Sequence, residues 1–178
     1  NGVLYGVDNR AADEVEELTD RIGLDQLMAT CGNALTSQSV GPKILWLRRK
    51  HPRIFEKTDK IHTSTTFIVA KLTGRTVIDH YTAANFSPIY DIHTQDWTNA
   101  LTDKIVERDR LPELLWSTEI AGEVSHKAAD ETGLAAGTPV LTGTIDAAAE
   151  AISVGVMGSG QMMMMYGSTI FIIMPTVE

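Results

Sequence analysis

Apolar residues recur at intervals of three and four near the start of the chain and form short continuous runs further on. Ala12, Val15, Leu18 and Ile22 have helical spacing, which predicts a helix over residues 9–22. Acidic residues crowd the first half of this segment, where the helix dipole favours negative charge. The spacing therefore predicts an amphipathic helix with one buried side.

Proline, glycine and the same spacing rules place the remaining elements. Pro42 suits the first turn of a helix, and Gly74 suits a C-terminal cap. The pattern predicts further helices over 24–29, 42–51, 63–72, 96–106, 125–132 and 146–154, and strands over 3–7, 76–78, 139–143, 161–166 and 169–174. Because helices alternate with strands, the predicted fold class is α/β.

Composition and charge narrow the classes of partner. The net charge is -8, so binding to nucleic acid is not expected. No run of about 18 apolar residues is present, so a membrane partner is not expected either. A single cysteine, Cys31, excludes a disulfide within the chain, which fits a reducing compartment and predicts a cytoplasmic location. Cys31 itself is interpreted as a buried structural thiol.

The chemistry-bearing segment runs from Gly143 to Asp146, at the carboxyl end of the strand predicted over 139–143. Ligands of open α/β sheets bind at the carboxyl ends of strands, so Asp146 can accept a proton from a substrate hydroxyl that attacks phosphorus. Gly167, Ser168 and Thr169 form a predicted turn whose amides and hydroxyls suit a phosphate group. Two plainer interpretations stay open, namely Asp146 as a helix N-cap and the Gly-Ser-Thr segment as an ordinary hairpin turn.

Several segments, in order along the chain, resemble motifs of the FGGY carbohydrate kinases. Residues 5–11 resemble the family's W-x-D-x-R strand end, and 43–55 resemble its K-x-x-W-L-x-x-x-x-P-x-x-F helix. Residues 67–85 resemble LTG followed by T-D-x-x-x-A-S, and 121–146 resemble A-G-x-V, T-G-L, G-T-P-V and G-x-x-D in turn. Residues 166–169 resemble the G-T-S or G-T-G phosphate loop. The ordered set covers nearly the whole chain.

This resemblance implies a partial actin-like (ribonuclease-H-like) ATPase domain. Residues 1–146 would be part of the N-terminal, sugar-side domain, and 147–178 the linking helix and first β-hairpin of the C-terminal, ATP-side domain. It also implies roles for individual residues. The general base would be Asp146, the sugar-side residues Asp8, Arg10, Thr144 and Ala147, and the ATP-phosphate loop Gly167, Ser168 and Thr169. Arg10 in an ion pair internal to the domain is an equal alternative.

The implied function is ATP-dependent phosphorylation of a hydroxyl of a small sugar or polyol, with a ketopentose such as xylulose as the expected substrate. ATP and Mg²⁺ are the implied cofactors, and no residue is assigned as a metal ligand. The family's D-x-G-T loop and its adenine-binding glycine motif are not in the sequence, and both ends look cut, so the chain alone is expected to be inactive. A non-catalytic sugar- or protein-binding module with the same fold is the alternative, and a homodimer is left open.

Overall fold

A computed structural model describes residues 8–102, 105–167 and 170–177 of the chain. The strand predicted over 3–7 and the predicted phosphate-loop residues Ser168 and Thr169 lie outside this part. The described helices are α1 (Ala12–Ile22), α2 (Leu24–Cys31), α3 (Val40–Lys50), α4 (Pro52–Glu56), α5 (Ser64–Thr73), α6 (His80–Ala83), α7 (His126–Thr132) and α8 (Asp146–Ser153). None of these helices has the length and apolar character that crossing a membrane requires.

The strands form four small sheets of two strands each within the described residues. The strands are β1 (Val77–Asp79), β2 (Tyr90–Asp91), β3 (Asp96–Trp97), β4 (Glu113–Leu115), β5 (Ile120–Glu123), β6 (Pro139–Leu141), β7 (Met163–Tyr166) and β8 (Ile170–Ile173). β1 pairs with β4 in parallel, whereas β2 with β3, β5 with β6 and β7 with β8 are antiparallel. The predicted helices agree with described ones to within a few residues, with one exception, and α4 lies where no helix is predicted.

The helix predicted over 96–106 is wrong. Asp96 and Trp97 pair with β2 instead, and the amide of Thr98 donates to the carbonyl oxygen of Ile89 at 2.9 Å. The indole of Trp97 is buried, and its Nε1 donates to the carbonyl oxygen of Pro112 at 2.9 Å. Contacts distant in sequence therefore outweigh the local preference for a helix.

The main hydrophobic core lies between α1, α2, α3 and the segment from β1 to β4. The members of this core that are at most 2% exposed are Leu18, Leu27, Ile78, Ala83, Phe86, Ile89, Tyr90, Ile105 and Val106. Cys31 is 2% exposed, which confirms its interpretation as a buried thiol. A separate small cluster joins α8 to the β7–β8 hairpin through Ala151, Val156 and Met163. The segment after Asp146 thus has a core of its own.

Gly41 is needed where α3 meets the loop at Ser87 and Pro88. A Cβ atom on Gly41 would lie 2.5 Å from the carbonyl oxygen of Ser87 and 2.8 Å from Cδ of Pro88. Gly41→Ala is therefore expected to lower the free energy of unfolding by about 1–3 kcal/mol, measured by urea denaturation. Gly158→Ala is the matched control, because its Cβ would meet no atom within 4 Å and its φ is not left-handed. Equal urea midpoints for the two variants would contradict the prediction.

Candidate active site

A short loop carries the chain from β6 to Asp146 at the start of α8. The amide of Thr142 donates to the carbonyl oxygen of Glu119 at 2.9 Å, and the amide of Gly143 donates to that of Ser117 at 3.1 Å. Gly143 has a φ of 74°, and a Cβ there would lie 3.2 Å from Cγ2 of Thr65. The loop is therefore fastened to the segment before β5, at a position that suits glycine.

Asp146 is exposed in the first turn of α8. Ile145 holds the N-cap position and no side chain caps the helix, so the plainer interpretation of Asp146 as an N-cap is not supported. Its Oδ1 accepts a hydrogen bond from the amide of Ala147 at 2.8 Å. The carboxylate thus has one backbone partner beside it and remains open to solvent, as a group that meets a substrate must.

The loop before Asp146 is also tied to a buried carboxylate, that of Asp79. The hydroxyl of Thr144 donates to Oδ2 of Asp79 at 2.8 Å, and the hydroxyl of Ser117 donates to the same oxygen at 3.3 Å. The amide of Thr82 donates to it as well, at 3.3 Å, which makes Asp79 the N-cap of α6. Asp79 is 2% exposed, so these donors replace the water it would otherwise bind.

The parallel pairing of β1 and β4 explains why these groups meet. Asp79 is the last residue of β1 and lies opposite Leu115, the last residue of β4. Parallel strands end at the same edge of a sheet, so Ser117, two residues beyond β4, reaches Asp79. The carboxyl end of this strand pair is where ligands bind in open α/β sheets.

His80 and Tyr90 pack beside this edge. Nδ1 of His80 lies 2.8 Å from the hydroxyl of Tyr90, and its ring centroid is 4.5 Å from that of Trp116. Burial, reinforced by Asp96, Asp79 and Asp91, raises the pKa of Tyr90 to about 12. The phenol therefore stays protonated over the physiological pH range and can serve as a hydrogen-bond donor to the imidazole.

Asp8 and Arg10, predicted on the sugar side, form an ion pair with each other. Nε of Arg10 donates to both carboxylate oxygens of Asp8, at 2.8 and 3.0 Å. The guanidinium also lies 4.8 Å from the ring centroid of Trp46. The hydrogen bond to Asp8 raises the pKa of Arg10. The alternative of an ion pair within the domain is what the structure contains, and a direct sugar contact by either residue stays a prediction.

Asp8 also lines a cavity of about 190 Å³ between the start of α1, the loop at 36–39 and α3. Lys43 reaches into the same cavity, where burial lowers its pKa and the charge of Asp8 opposes that effect. The other polar residues that line this cavity are Asn9, Glu16, Thr36, Ser37 and Ser39. Asp8 therefore borders a cavity whose lining does not include Thr144, which contacts Asp79 instead.

The remaining predicted site residues fall on two elements. Ala147 is half-buried in the first turn of α8 and gives its amide to Asp146. Gly167 is exposed directly after β7, at the end of the β7–β8 hairpin. Within the described residues, no group of three or more His, Cys, Asp or Glu side chains is arranged to hold a metal ion.

Sequence reasoning missed Asp79 and Ser117 as members of the site. Asp79 stands inside the T-D-x-x-x-A-S resemblance, but its position between a strand and a helix indicates only a cap. Ser117 carries no signal of its own, because its partner is 38 residues away and the contact depends on the parallel pairing.

Curated relatives match most of this chain. Residues 3–153 match the family model described as the FGGY family of carbohydrate kinases, N-terminal domain. The chain is 29% identical over 163 residues to the xylulose kinase of Escherichia coli, covering 91% of this chain and 33% of that protein. It is 33% identical over 149 residues to the xylulose kinase of Lactococcus lactis, covering 83% of this chain and 29% of that protein. It is 30% identical over 166 residues to the autoinducer-2 kinase of Klebsiella pneumoniae, covering 91% and 31%.

Solved structures match the same region. The xylulose kinase of Rhodospirillum rubrum superposes with a TM-score of 0.84 at 28% identity, over 91% of this chain and 33% of that one. The glycerol kinase of Plasmodium falciparum, solved with ADP, superposes with a TM-score of 0.82 at 22% identity, over 94% of this chain and 34% of that one. At this identity the match shows the fold alone. These matches confirm the predicted α/β class and the actin-like fold. The chain spans about a third of the length of the relatives it matches.

Proposed function

Since this chain belongs to the FGGY family of carbohydrate kinases, we propose that it is the sugar-side part of an enzyme that transfers a phosphoryl group from ATP to a sugar hydroxyl. The observation that carries the proposal is the setting of Asp146. An exposed carboxylate stands at the start of α8, on a loop whose backbone and Thr144 hydroxyl are fastened to the carboxyl edge of the β1–β4 pair. A fixed loop that presents an open carboxylate suits a group that must meet a substrate hydroxyl.

Asp146 is the proposed general base. Its carboxylate accepts the proton of the sugar hydroxyl while that oxygen forms a bond to the γ-phosphorus and the bond from phosphorus to the bridging oxygen of the diphosphate breaks. The proton stays on Asp146 and ADP carries away the bonding electron pair. The amide of Ala147 holds Oδ1 in place, which leaves Oδ2 to receive the proton.

ATP supplies the phosphoryl group in this proposal, and Mg²⁺ would neutralise its phosphates. Gly167 fits a position beside a phosphate, because it is exposed and directly follows β7, and a backbone without a side chain can approach an anion closely. Ser168 and Thr169 are proposed to complete this loop. The proposed boundary between the sugar-side and ATP-side domains lies at residue 146, and the small cluster that joins α8 to the β7–β8 hairpin supports this proposal.

A ketopentose such as xylulose is the proposed substrate. Two of the reported relatives and one solved structure are xylulose kinases, while autoinducer-2 and glycerol kinases match over the same region. Asp8, Arg10, Thr144 and Ala147 are proposed to lie on the sugar side. For Thr144 the hydroxyl proton is already given to Asp79, so a sugar hydroxyl could only donate to its oxygen.

The test is ADP release by the full-length gene product that contains this chain. A coupled assay would compare xylulose, other ketopentoses, gluconate, glycerol and autoinducer-2 at equal concentrations, each with and without ATP. The expected result is sugar-dependent ADP release, fastest with a ketopentose. If calorimetry shows that a sugar binds but none of the compounds causes ADP release from ATP, the proposal is contradicted and the non-catalytic binding module is favoured.

A further inference from the structure

We infer that Asp79 is a positioning residue for the proposed base, acting through the hydroxyl of Thr144. This inference rests on the proposed function of Asp146, and it names a residue outside the predicted site. Asp79 and Asp146 belong to different elements, separated by 67 positions in the chain. The hydrogen bond between Thr144 and Asp79 is the side-chain link that spans this separation.

Three hydrogen bonds to the Asp79 carboxylate hold separate segments of the chain together. Oδ2 of this carboxylate receives one donor from each of three segments, namely the start of α6, the loop after β4 and the loop before α8. The carboxylate is 2% exposed, so a lost donor is not readily replaced by water. A buried acceptor with converging donors holds its partners in one geometry, because any displacement leaves a buried polar group unsatisfied.

The shortest of these bonds is the one that bears on Asp146. The Thr144 hydroxyl lies 2.8 Å from Oδ2, whereas the Ser117 hydroxyl and the Thr82 amide are both at 3.3 Å. Thr144 lies two residues before Asp146, with Ile145 as the N-cap of α8 between them. The hydrogen bond of the Thr144 side chain therefore fixes the position of the start of α8. It also fixes the position of the Asp146 carboxylate relative to the β1–β4 edge.

The test replaces the linking hydroxyl in the full-length gene product. Thr144→Val keeps the shape and removes the hydroxyl, and Thr144→Ser restores it. Thr144→Val is expected to lower kcat about 10- to 100-fold while the KM for ATP changes less than about twofold, because misplacing a catalytic group affects the chemical step. Thr144→Ser should recover most of the lost kcat. Thr58→Val is the matched control, since that hydroxyl donates to the Ile54 carbonyl oxygen on α4, and its kcat should be unchanged.

A double-mutant cycle with Asp79→Ala, whose methyl group cannot accept from Thr144, separates positioning from general destabilisation. If Asp79 acts through Thr144, the double variant should be no slower than the slower single variant. Multiplied losses in kcat would overturn the inference, as would an unchanged kcat in Thr144→Val. A rise in the KM for the sugar with kcat unchanged would also overturn it, by placing Thr144 on the substrate instead. Asp79→Ala also removes the cap of α6, so the melting temperature of each variant is measured alongside its kcat. Asp79→Asn keeps an oxygen that can accept from Thr144 and cap α6, so it should lose less kcat than Asp79→Ala.

Hydrogen exchange keeps this inference separate from the proposed function. The Ala147 amide, which donates to Asp146, should exchange faster in Thr144→Val than in the parent protein, whether or not any sugar is phosphorylated. Faster exchange in a protein that shows no kinase activity would support positioning and contradict only the proposed function. Unchanged exchange at Ala147 would overturn the inference even in an active kinase.

Discussion

Asp146→Asn is expected to lower kcat for sugar-dependent ADP release by about 10²- to 10⁴-fold, the range that a positioned general base contributes. The amide keeps the size of the carboxylate and can still accept from Ala147, but it cannot take the hydroxyl proton. The loss should appear in kcat and in kcat/KM to the same extent, because the interaction is made only as the proton moves. Steady-state kinetics in the full-length gene product measure both.

Asp130→Asn is the matched control for this variant. Asp130 is an exposed aspartate on α7, and removing its charge alters the net charge by the same amount without touching the loop before α8. Its kcat should stay within about twofold of the parent, as for most surface substitutions. Activity that survives in Asp146→Asn at the level of Asp130→Asn would remove Asp146 from the role of base. The melting temperatures of both should match the parent.

The helical part of the fold could be predicted because its signals are local. The spacing of Ala12, Val15, Leu18 and Ile22 predicts α1, and Gly74 ends α5 in the left-handed conformation that glycine favours. The segment 96–106 could not be predicted, because the partners of Trp97, namely β2 and the Pro112 carbonyl oxygen, lie outside the segment. Local signals carry no information about such partners.

The same distinction applies to the candidate site. Asp146 could be proposed from sequence because a strand, a glycine and a small-residue helix surround it, and because residues 121–146 resemble the family's motifs ending in G-x-x-D. Asp79 and Ser117 could not, because what makes them neighbours of Thr144 is the parallel pairing of β1 with β4. The pairing of Asp8 with Arg10 is local, and the sequence indicates an ion pair of Arg10 within the domain as an alternative without identifying its partner.

Phe86→Ala is expected to lower the free energy of unfolding by about 3–5 kcal/mol, which is a large part of the stability of an ordinary domain. Phe86 is 0% exposed, and its ring meets that of Trp97 edge to face at a centroid distance of 5.2 Å. Truncation removes the buried ring and leaves a cavity beside the indole, where close packing on all sides limits relaxation. Urea denaturation, followed by tryptophan fluorescence, measures the loss.

Phe67→Ala is the control with the same change of side chain. Phe67 is 47% exposed on α5 and makes an edge contact with His62 and a cation–π contact with Lys71, so its loss should cost no more than about 1 kcal/mol. Similar urea midpoints for the two variants would mean that the core around Phe86 is not packed as the structure has it. Phe86 contacts no proposed reacting group, so kcat of Phe86→Ala should stay near that of the parent where the protein is folded. Asp146→Asn should behave in the opposite way, losing turnover without losing stability, and that opposition separates the residue that does chemistry from the one that holds the fold.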